Sequence, residues 1–440
     1  MAFIPVYILI LLFTIVVDYF AGIWIANSVG KRRKWFLVLS LIANIGILAV
    51  FKYYNFFIEN VNVILHYLGI HANSELPYLS IILPIGLSFH TFQAMSYTIE
   101  VYRGNQKPEK HFGIYALYVM FYPQLVAGPI ERPQHLLPQL REKHQFDIDR
   151  VYAGLRLMLW GLFKKVVIAD RLALYVNEVY GNVHGYGSGN LLIAAFFFAI
   201  QIYCDFSGYS DMALGAARVM GFRLMINFNR PYFSKNIREF WQRWHISLSS
   251  WFRDYLYKSL GGNRISTFRT YINILIVFLI SGFWHGANYT FIVWGAIHGI
   301  LVIAYMLSRK YNKTSVFDKR FLDVPSILFT FFLVSIAFVF FRANTLHDAL
   351  YVVSTIFNFD FSQFTLMLKD VGNRVEVGKT SLAIGLFSIV LLLINDSYQK
   401  IDQSAFDKKP VADILYNALI LFLVVSFGVF KNTNFIYFQF

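Results

Sequence analysis

Phe3-Ile-Pro-Val-Tyr-Ile-Leu-Ile-Leu-Leu-Phe-Thr-Ile-Val-Val-Asp-Tyr-Phe-Ala-Gly-Ile-Trp-Ile25 is a nearly continuous apolar run, and Lys31-Arg32-Arg33-Lys34 follows it. A helix needs about 20 apolar residues to cross the hydrocarbon core of a bilayer, and this run supplies them. The basic cluster comes after the run, not before it, which is the reverse of a secretory signal peptide. The segment therefore reads as a retained first span with its N-terminus outside. The rest of the chain is of the same kind: 57% hydrophobic, 19% aromatic and only 15% charged over 440 residues. Soluble domains carry about 25% charged residues, so lipid must be the solvent for much of this surface. The net charge of +14 does not indicate nucleic acid. Its lysines and arginines sit in short clusters between apolar runs, as cytoplasmic loops of membrane proteins do. The single cysteine, Cys204, allows no intrachain disulfide and leaves the redox compartment open.

Outward from the first span, further apolar runs occur at about 35–57, 79–101, 112–127, 151–169, 191–214, 271–283, 286–307, 325–341, 382–396 and 412–430. The expectation is an all-α polytopic membrane protein with about 11 spans, residues 1–440 forming one integral-membrane domain. The run at 112–127 is short and is expected to be re-entrant or buried in the bundle. Lys and Arg placement sets orientation. The 31–34 cluster, Arg103, Lys107, Lys110, the 309–320 loop, Lys400, Lys408 and Lys409 belong inside. Span 325–341 then runs outward and the last span, 412–430, exits again, so the C-terminus also lies outside.

Segment 215–270 mixes aromatic residues (Phe240, Trp241, Trp244, Trp251, Phe252) with Arg223, Arg238, Arg243, Arg253 and Lys258. It reads as a helical pair at the cytoplasmic interface, as a site for an anionic, nucleotide-bearing donor, or as both. The sharpest chemical signal is Ser281-Gly-Phe-Trp-His285-Gly-Ala-Asn288. An ionisable side chain at membrane depth is a functional candidate by default, and imidazole is the natural general base near neutral pH. Flanking Gly282 and Gly286 let the backbone break or another group approach closely. The competing reading is a histidine bonded to a neighbouring helix. His245 has Arg243, Arg253 and Asp254 nearby in sequence and is read either as part of a charged network or as an interfacial histidine bonded to backbone or solvent. His285 and His298 lack the i, i+4 spacing of a helical zinc pair, so no metal site is expected there. Asp205 and Asp211 are read as bundle anchors, with an arginine as the expected partner. No G-x-S-x-G elbow is present. Pro84-Ile-Gly-Leu-Ser-Phe-His90 and Pro123-Gln-Leu-Val-Ala-Gly-Pro129-Ile-Glu-Arg-Pro133 break helices at membrane level, and such backbone lines a cavity or protein interior.

Taken together, Leu125 through Pro133, Tyr203-Cys-Asp-Phe-Ser-Gly-Tyr-Ser-Asp211, Phe240 through Tyr257, Leu260-Gly-Gly-Asn-Arg264 and Gly282 through Asn288 resemble the membrane-bound O-acyltransferase (MBOAT) family. The likeness is to its bacterial branch of alginate O-acetylases and peptidoglycan O-acetyltransferases. These runs place the motif-bearing core at about 80–300. The resemblance implies a ring of helices around a central funnel, with the donor entering from the cytoplasm and the acyl group leaving outward. It implies that His285 is the catalytic histidine and that His245 assists in the tunnel. Asn288 would orient or polarise reactants. Trp284, Trp244, Arg243, Arg253, Asp254 and Asp205 would shape the tunnel or bind the donor. No bound cofactor is expected, and acetyl-CoA is the expected acyl donor. The expected partners are an extracytoplasmic acyltransferase of the SGNH-hydrolase kind and a polysaccharide acceptor such as alginate, cellulose or peptidoglycan, at the bacterial inner membrane.

Residues 412–440 end in Phe435-Ile-Tyr437-Phe-Gln-Phe440, too apolar to sit free in water. This peptide is expected either to lie in the outer interface or to fold into the outer mouth of the tunnel. There Tyr437 could receive the acyl group before it leaves. The alternatives are D-alanyl transfer from a carrier protein to teichoic acid, acylation of a protein or lipid, and a secondary transporter. Against the last, no internal repeat of the transporter kind is visible.

Overall fold

The computed structural model describes residues 7–69, 76–80, 84, 86–311, 323–358, 378–398, 410–430 and 435–436. Those residues are helical with irregular connections, and no strand occurs among them. Among the described residues, seven helices are long and apolar enough to cross a membrane: Tyr7–Asn27, Gly30–Tyr67, Ser188–Val219, Thr267–His285, Tyr289–Tyr311, Asp323–Arg342 and Thr380–Ser397. Two shorter apolar helices, Leu346–Phe357 and Ala412–Phe427, accompany them. The polytopic all-α architecture is as the sequence predicts. The chain divides into two compact units.

The smaller unit comprises residues 1–150, 217–225 and 286–288. Its helices are α1 (Tyr7–Asn27), α2 (Gly30–Leu48), α3 (Tyr54–Tyr67), α4 (Leu87–Arg103), α5 (Phe112–Met120) and α6 (Pro133–Gln139). A π-helical turn, Ala49–Tyr53, joins α2 to α3 without interrupting the rod. Buried polar groups fasten α1, α2 and α4 together. The Asp18 carboxylate accepts from the Ser40 hydroxyl at 2.6 Å and from the Asn44 amide at 2.8 Å, and Ser40 also reaches Thr98 at 2.9 Å. Interhelical hydrogen bonds of this sort hold membrane bundles where no hydrophobic drive separates helix from lipid. Arg33, from the basic cluster, caps α4 by donating to the carbonyls of Val101 at 3.1 Å and Tyr102 at 2.7 Å.

The nine residues of α5 would rise about 13 Å at 1.5 Å per residue, far short of a bilayer. Turns follow it, and their polar groups are answered inside the unit, as broken elements at membrane depth require. The Gly128 N–H donates to the Gln124 carbonyl at 2.9 Å, and Gln124 donates to the Gln93 amide oxygen at 3.0 Å. The Tyr118 hydroxyl donates to the Glu131 carbonyl at 3.1 Å. Gly86 takes φ +81°, and a Cβ there would meet the Leu125 carbonyl. The proline-and-glycine runs around Pro84 and Pro129 thus build one mutually bonded wall.

The larger unit comprises residues 151–216, 226–285 and 289–440. Its helices are α7 (Ile148–Phe163), α8 (Asp170–Gly181), α9 (Ser188–Val219), α10 (Ile237–Arg243), α11 (Ile246–Trp251), α12 (Thr267–His285), α13 (Tyr289–Tyr311), α14 (Asp323–Arg342), α15 (Leu346–Phe357), α16 (Gly378–Tyr398) and α17 (Pro410–Phe427). A π-helical segment, Lys164–Ala169, separates α7 from α8. The 32-residue α9 is the most enclosed of the membrane-length helices, with 78% of its apolar window buried. Helices α12 and α13 pack antiparallel through small residues. A Cβ on Gly282 would clash with the Phe291 carbonyl, and one on Gly295 with the Phe278 carbonyl. Close approach, not a break, is therefore the role of Gly282, because α12 continues through it to His285.

Candidate active site

His285 is the last residue of α12 and is 6% exposed. Aromatic rings enclose its imidazole: Trp284 with ring centroids 4.8 Å away, Trp294 of α13 at 5.2 Å and Phe341 of α14 at 5.3 Å. All three are buried. The sequence places these residues by simple means. The apolar period of α12 carries His285 to the helix end, the Gly282–Phe291 approach brings α13 against it, and Phe341 arrives on the last turn of α14. Asn288 is half-buried in the short connection to α13.

His298, weighed from sequence only as a zinc partner of His285, belongs to the same aromatic group. Its ring lies 4.9 Å from Trp294, which also contacts His285. The Trp241 indole N–H donates to His298 Nδ1 at 3.3 Å, which fixes the proton of a neutral His298 on Nε2. A histidine inside an apolar run was the signal available in the sequence.

His245 occupies a different setting. It stands between α10 and α11 with φ +44° and ψ +54°, a left-handed conformation that costs a non-glycine residue about 1–3 kcal/mol. Surrounding bonds hold the kink. The Ile246 N–H donates to the Asn227 carbonyl at 2.9 Å, and Ser247 donates to the Asn227 side-chain oxygen at 2.6 Å. His245 is 1% exposed, with its ring edge-on to Phe206 at 4.6 Å. Burial pulls its pKa down to about 3, so the ring is neutral at physiological pH. The neighbouring charges form their own pairs. Arg243 meets Glu239 at 2.5 Å, one turn away. Arg253 at 3.2 Å and Lys258 at 2.7 Å both meet Asp254. Burial works against ionisation of Asp254, but those two cations outweigh it and hold the carboxyl below its usual range. Trp244 is buried against Phe228 and Phe240.

Asp205 and Asp211, on α9, are anchored by lysines and not by an arginine. The π-helical segment presents Lys164 and Lys165 side by side. Lys164 Nζ lies 2.6 Å from Asp211 and 2.9 Å from the Ser207 hydroxyl. Lys165 Nζ lies 2.7 Å from Asp205 and 2.8 Å from Asp170. Adjacent residues of a regular α-helix diverge by about 100°, and nothing in the local sequence marks the π-turn that aims both at α9.

The C-terminal peptide closes on this network. The Ile436 N–H donates to Asp205 Oδ2 at 2.7 Å. Phe435 packs on Tyr209, with ring centroids 5.4 Å apart, and on Phe206 at 6.3 Å, the ring that also faces His245. Both tail residues are buried, Ile436 to 2% exposure. Upstream, the Val429 N–H donates to the Val166 carbonyl at 2.9 Å, and Arg171 donates to the Phe427 carbonyl. Tyr437 lies outside the described residues.

Residues 110–346 match the profile of the membrane-bound O-acyltransferase family, more than half of the chain. The chain belongs to this family. It is 36% identical to a protein of Pseudomonas putida named "Probable alginate O-acetylase", over 96% of this chain and 90% of that one. It is 38% identical to a peptidoglycan O-acetyltransferase of Helicobacter pylori, over 79% and 69% of the two chains. Likeness to a teichoic acid D-alanyltransferase of Bacillus subtilis is weaker, 28% over 63% and 73%. This MBOAT protein is thus a multi-pass membrane acyltransferase.

Proposed function

We propose that this MBOAT protein is an O-acetyltransferase of the bacterial inner membrane that moves acetyl from cytoplasmic acetyl-CoA to an extracytoplasmic polysaccharide. The observation that carries the chemistry is His285, a buried imidazole held by Trp284, Trp294 and Phe341. The histidine removes the proton of an acceptor hydroxyl, whose oxygen attacks the thioester carbonyl. The C–S bond breaks, and the thiolate of CoA leaves and takes up a proton. Asn288 polarises the carbonyl, and the neutral His245 contributes a hydrogen-bonding group to the tunnel. The basic surface with Arg243 and Arg253 receives the anionic end of the donor. The lysine and arginine pattern supports an orientation with the 309–320 loop inside and both termini outside.

In this reading the outer-side tail supplies the first acceptor. Asp205 lies seventeen residues after Ser188, about 25 Å along α9 at 1.5 Å per residue. A tail bound there reaches bilayer depth, and Tyr437 follows directly. Its phenol takes the acetyl group and passes it to an SGNH-hydrolase-like partner outside, which transfers it to the polymer. The identity of the polymer follows the relatives: alginate or peptidoglycan by their names. Transfer of D-alanyl from a carrier protein is the second reading, favoured only by the weaker relationship.

The test is transfer of labelled acetyl from acetyl-CoA by the purified protein in nanodiscs, comparing wild type, His285→Ala and Tyr437→Phe. Label on Tyr437 in wild type, and no transfer by His285→Ala, is the expected result. Normal transfer by Tyr437→Phe would remove the relay, and normal transfer by His285→Ala would remove the base. Label accepted only from a D-alanyl carrier would establish the second reading.

A further inference from the structure

Away from the aromatic site, three metal-ligating side chains converge in the larger unit. His184 sits in a short 3-10 turn, Val183–Gly185, between α8 and α9. His347 and Asp348 lie in the first turn of α15. Their ligand atoms all fall within 4.8 Å of one another. The turn precedes the span Ser188–Val219 and α15 follows the span Asp323–Arg342, so the three meet at the same end of two spans. In the orientation proposed above, that is the outer end.

We propose that His184, His347 and Asp348 form a binding site for a divalent transition-metal ion of the zinc class. The spacing is the first argument. His184 Nε2 and Asp348 Oδ1 are 3.6 Å apart, longer than the roughly 2.8 Å of a charge-assisted hydrogen bond. Two ligands of one tetrahedral zinc, each about 2.1 Å from the ion, stand roughly 3.4 Å apart. The pair is therefore set at the separation of co-ligands. The second argument is orientation. The Thr345 hydroxyl donates to Asp348 Oδ2 at 2.7 Å, leaving Oδ1 toward His184. Bonds of this kind to the non-ligating atom fix a ligand for its metal. The Tyr351 ring packs on the His184 imidazole with centroids 4.2 Å apart and limits its swing. The third is the donor set. Two imidazoles and a carboxylate with an open position suit zinc, and the exposed His347 imidazole can turn toward the held His184 to close the remaining gap. Bound metal would clamp the 3-10 turn to the start of α15.

The test uses the full-length protein in detergent, stripped with chelator and titrated with zinc chloride at neutral pH. Calorimetry should show one saturable zinc per chain at this site, and zinc should raise the melting temperature because it binds only the folded arrangement. Removing a ligand should weaken that binding by more than the roughly 10–100-fold that loss of an orienting neighbour costs. His184→Ala and His347→Ala should each do so, while the metal-free melting temperature and acetyl transfer stay as in wild type. Absence of saturable binding in the wild-type protein overturns the proposal. So does binding that persists unchanged in both variants, which would place the zinc on other histidines.

Discussion

The larger unit holds two polar centres built on opposite plans. Around Lys164 and Lys165, every charge faces an opposite charge: Asp211 at 2.6 Å, Asp205 at 2.7 Å and Asp170 at 2.8 Å. Around His285 stand the rings of Trp284, Trp294 and Phe341. The first arrangement ties chain segments together. It joins the π-turn to α9 and to the C-terminal peptide, and full pairing suits structure because an ion pair gains most when neither partner is left alone. The second suits chemistry. In the reading proposed above, aromatic walls around the imidazole would exclude water that competes for an activated thioester.

The comparison breaks most sharply at His285. Replacing it with Gln keeps the size of the side chain and should lower acetyl transfer by roughly 10²–10⁴-fold, the usual contribution of a general base. The melting temperature should hardly move, since glutamine can keep the packing against Trp284, Trp294 and Phe341. A large fall in melting temperature together with a small fall in rate would reverse the two roles.

The reverse pattern is expected at Lys164. Lys164→Met strands Asp211 and should cost about 3–5 kcal/mol of stability, whereas Lys164→Met combined with Asp211→Leu should recover most of it. Thermal melting of the single and double variants in detergent decides this. Equal destabilisation by both would mean that the pair matters through packing and not through charge.

How much of this was legible in the sequence follows the same divide. Apolar runs are local, so α1, α9, α12, α13 and α14 could be read directly, and α5 was visibly too short to cross. His285 was legible because its flanking glycines and its depth are local signals too. The lysine network was not. Its aspartates were visible, but an arginine was the partner sought. A π-turn carries no side-chain signature, and it alone aims two consecutive residues at α9. His298 was passed over because its significance depends on Trp294, four residues away on the same helix but shared with His285 on another. His184 and His347 are far apart in the chain, and only the fold brings them together. The docking of Ile436 on Asp205 likewise joins the chain's end to its middle, a pairing that no local pattern encodes.

That docking ties the chain's end to the paired centre and offers the finest test of the division between the two. Asp205→Leu removes the acceptor of the Ile436 N–H together with one of the two carboxylates paired with Lys165, which keeps Asp170. Losing one buried hydrogen bond of about 1–1.5 kcal/mol should lower occupancy of the bound tail by roughly tenfold. If the tail carries the acceptor, turnover falls by that factor while the KM for acetyl-CoA stays constant, because the donor's basic surface is untouched. Hydrogen exchange followed by mass spectrometry should show the C-terminal peptide losing protection in parallel. A loss of protection with unchanged turnover would confine Asp205 to the structural centre. A fall in turnover with protection intact would instead make the carboxylate itself part of the chemistry, and the separation between a paired scaffold and an aromatic reaction site would no longer hold.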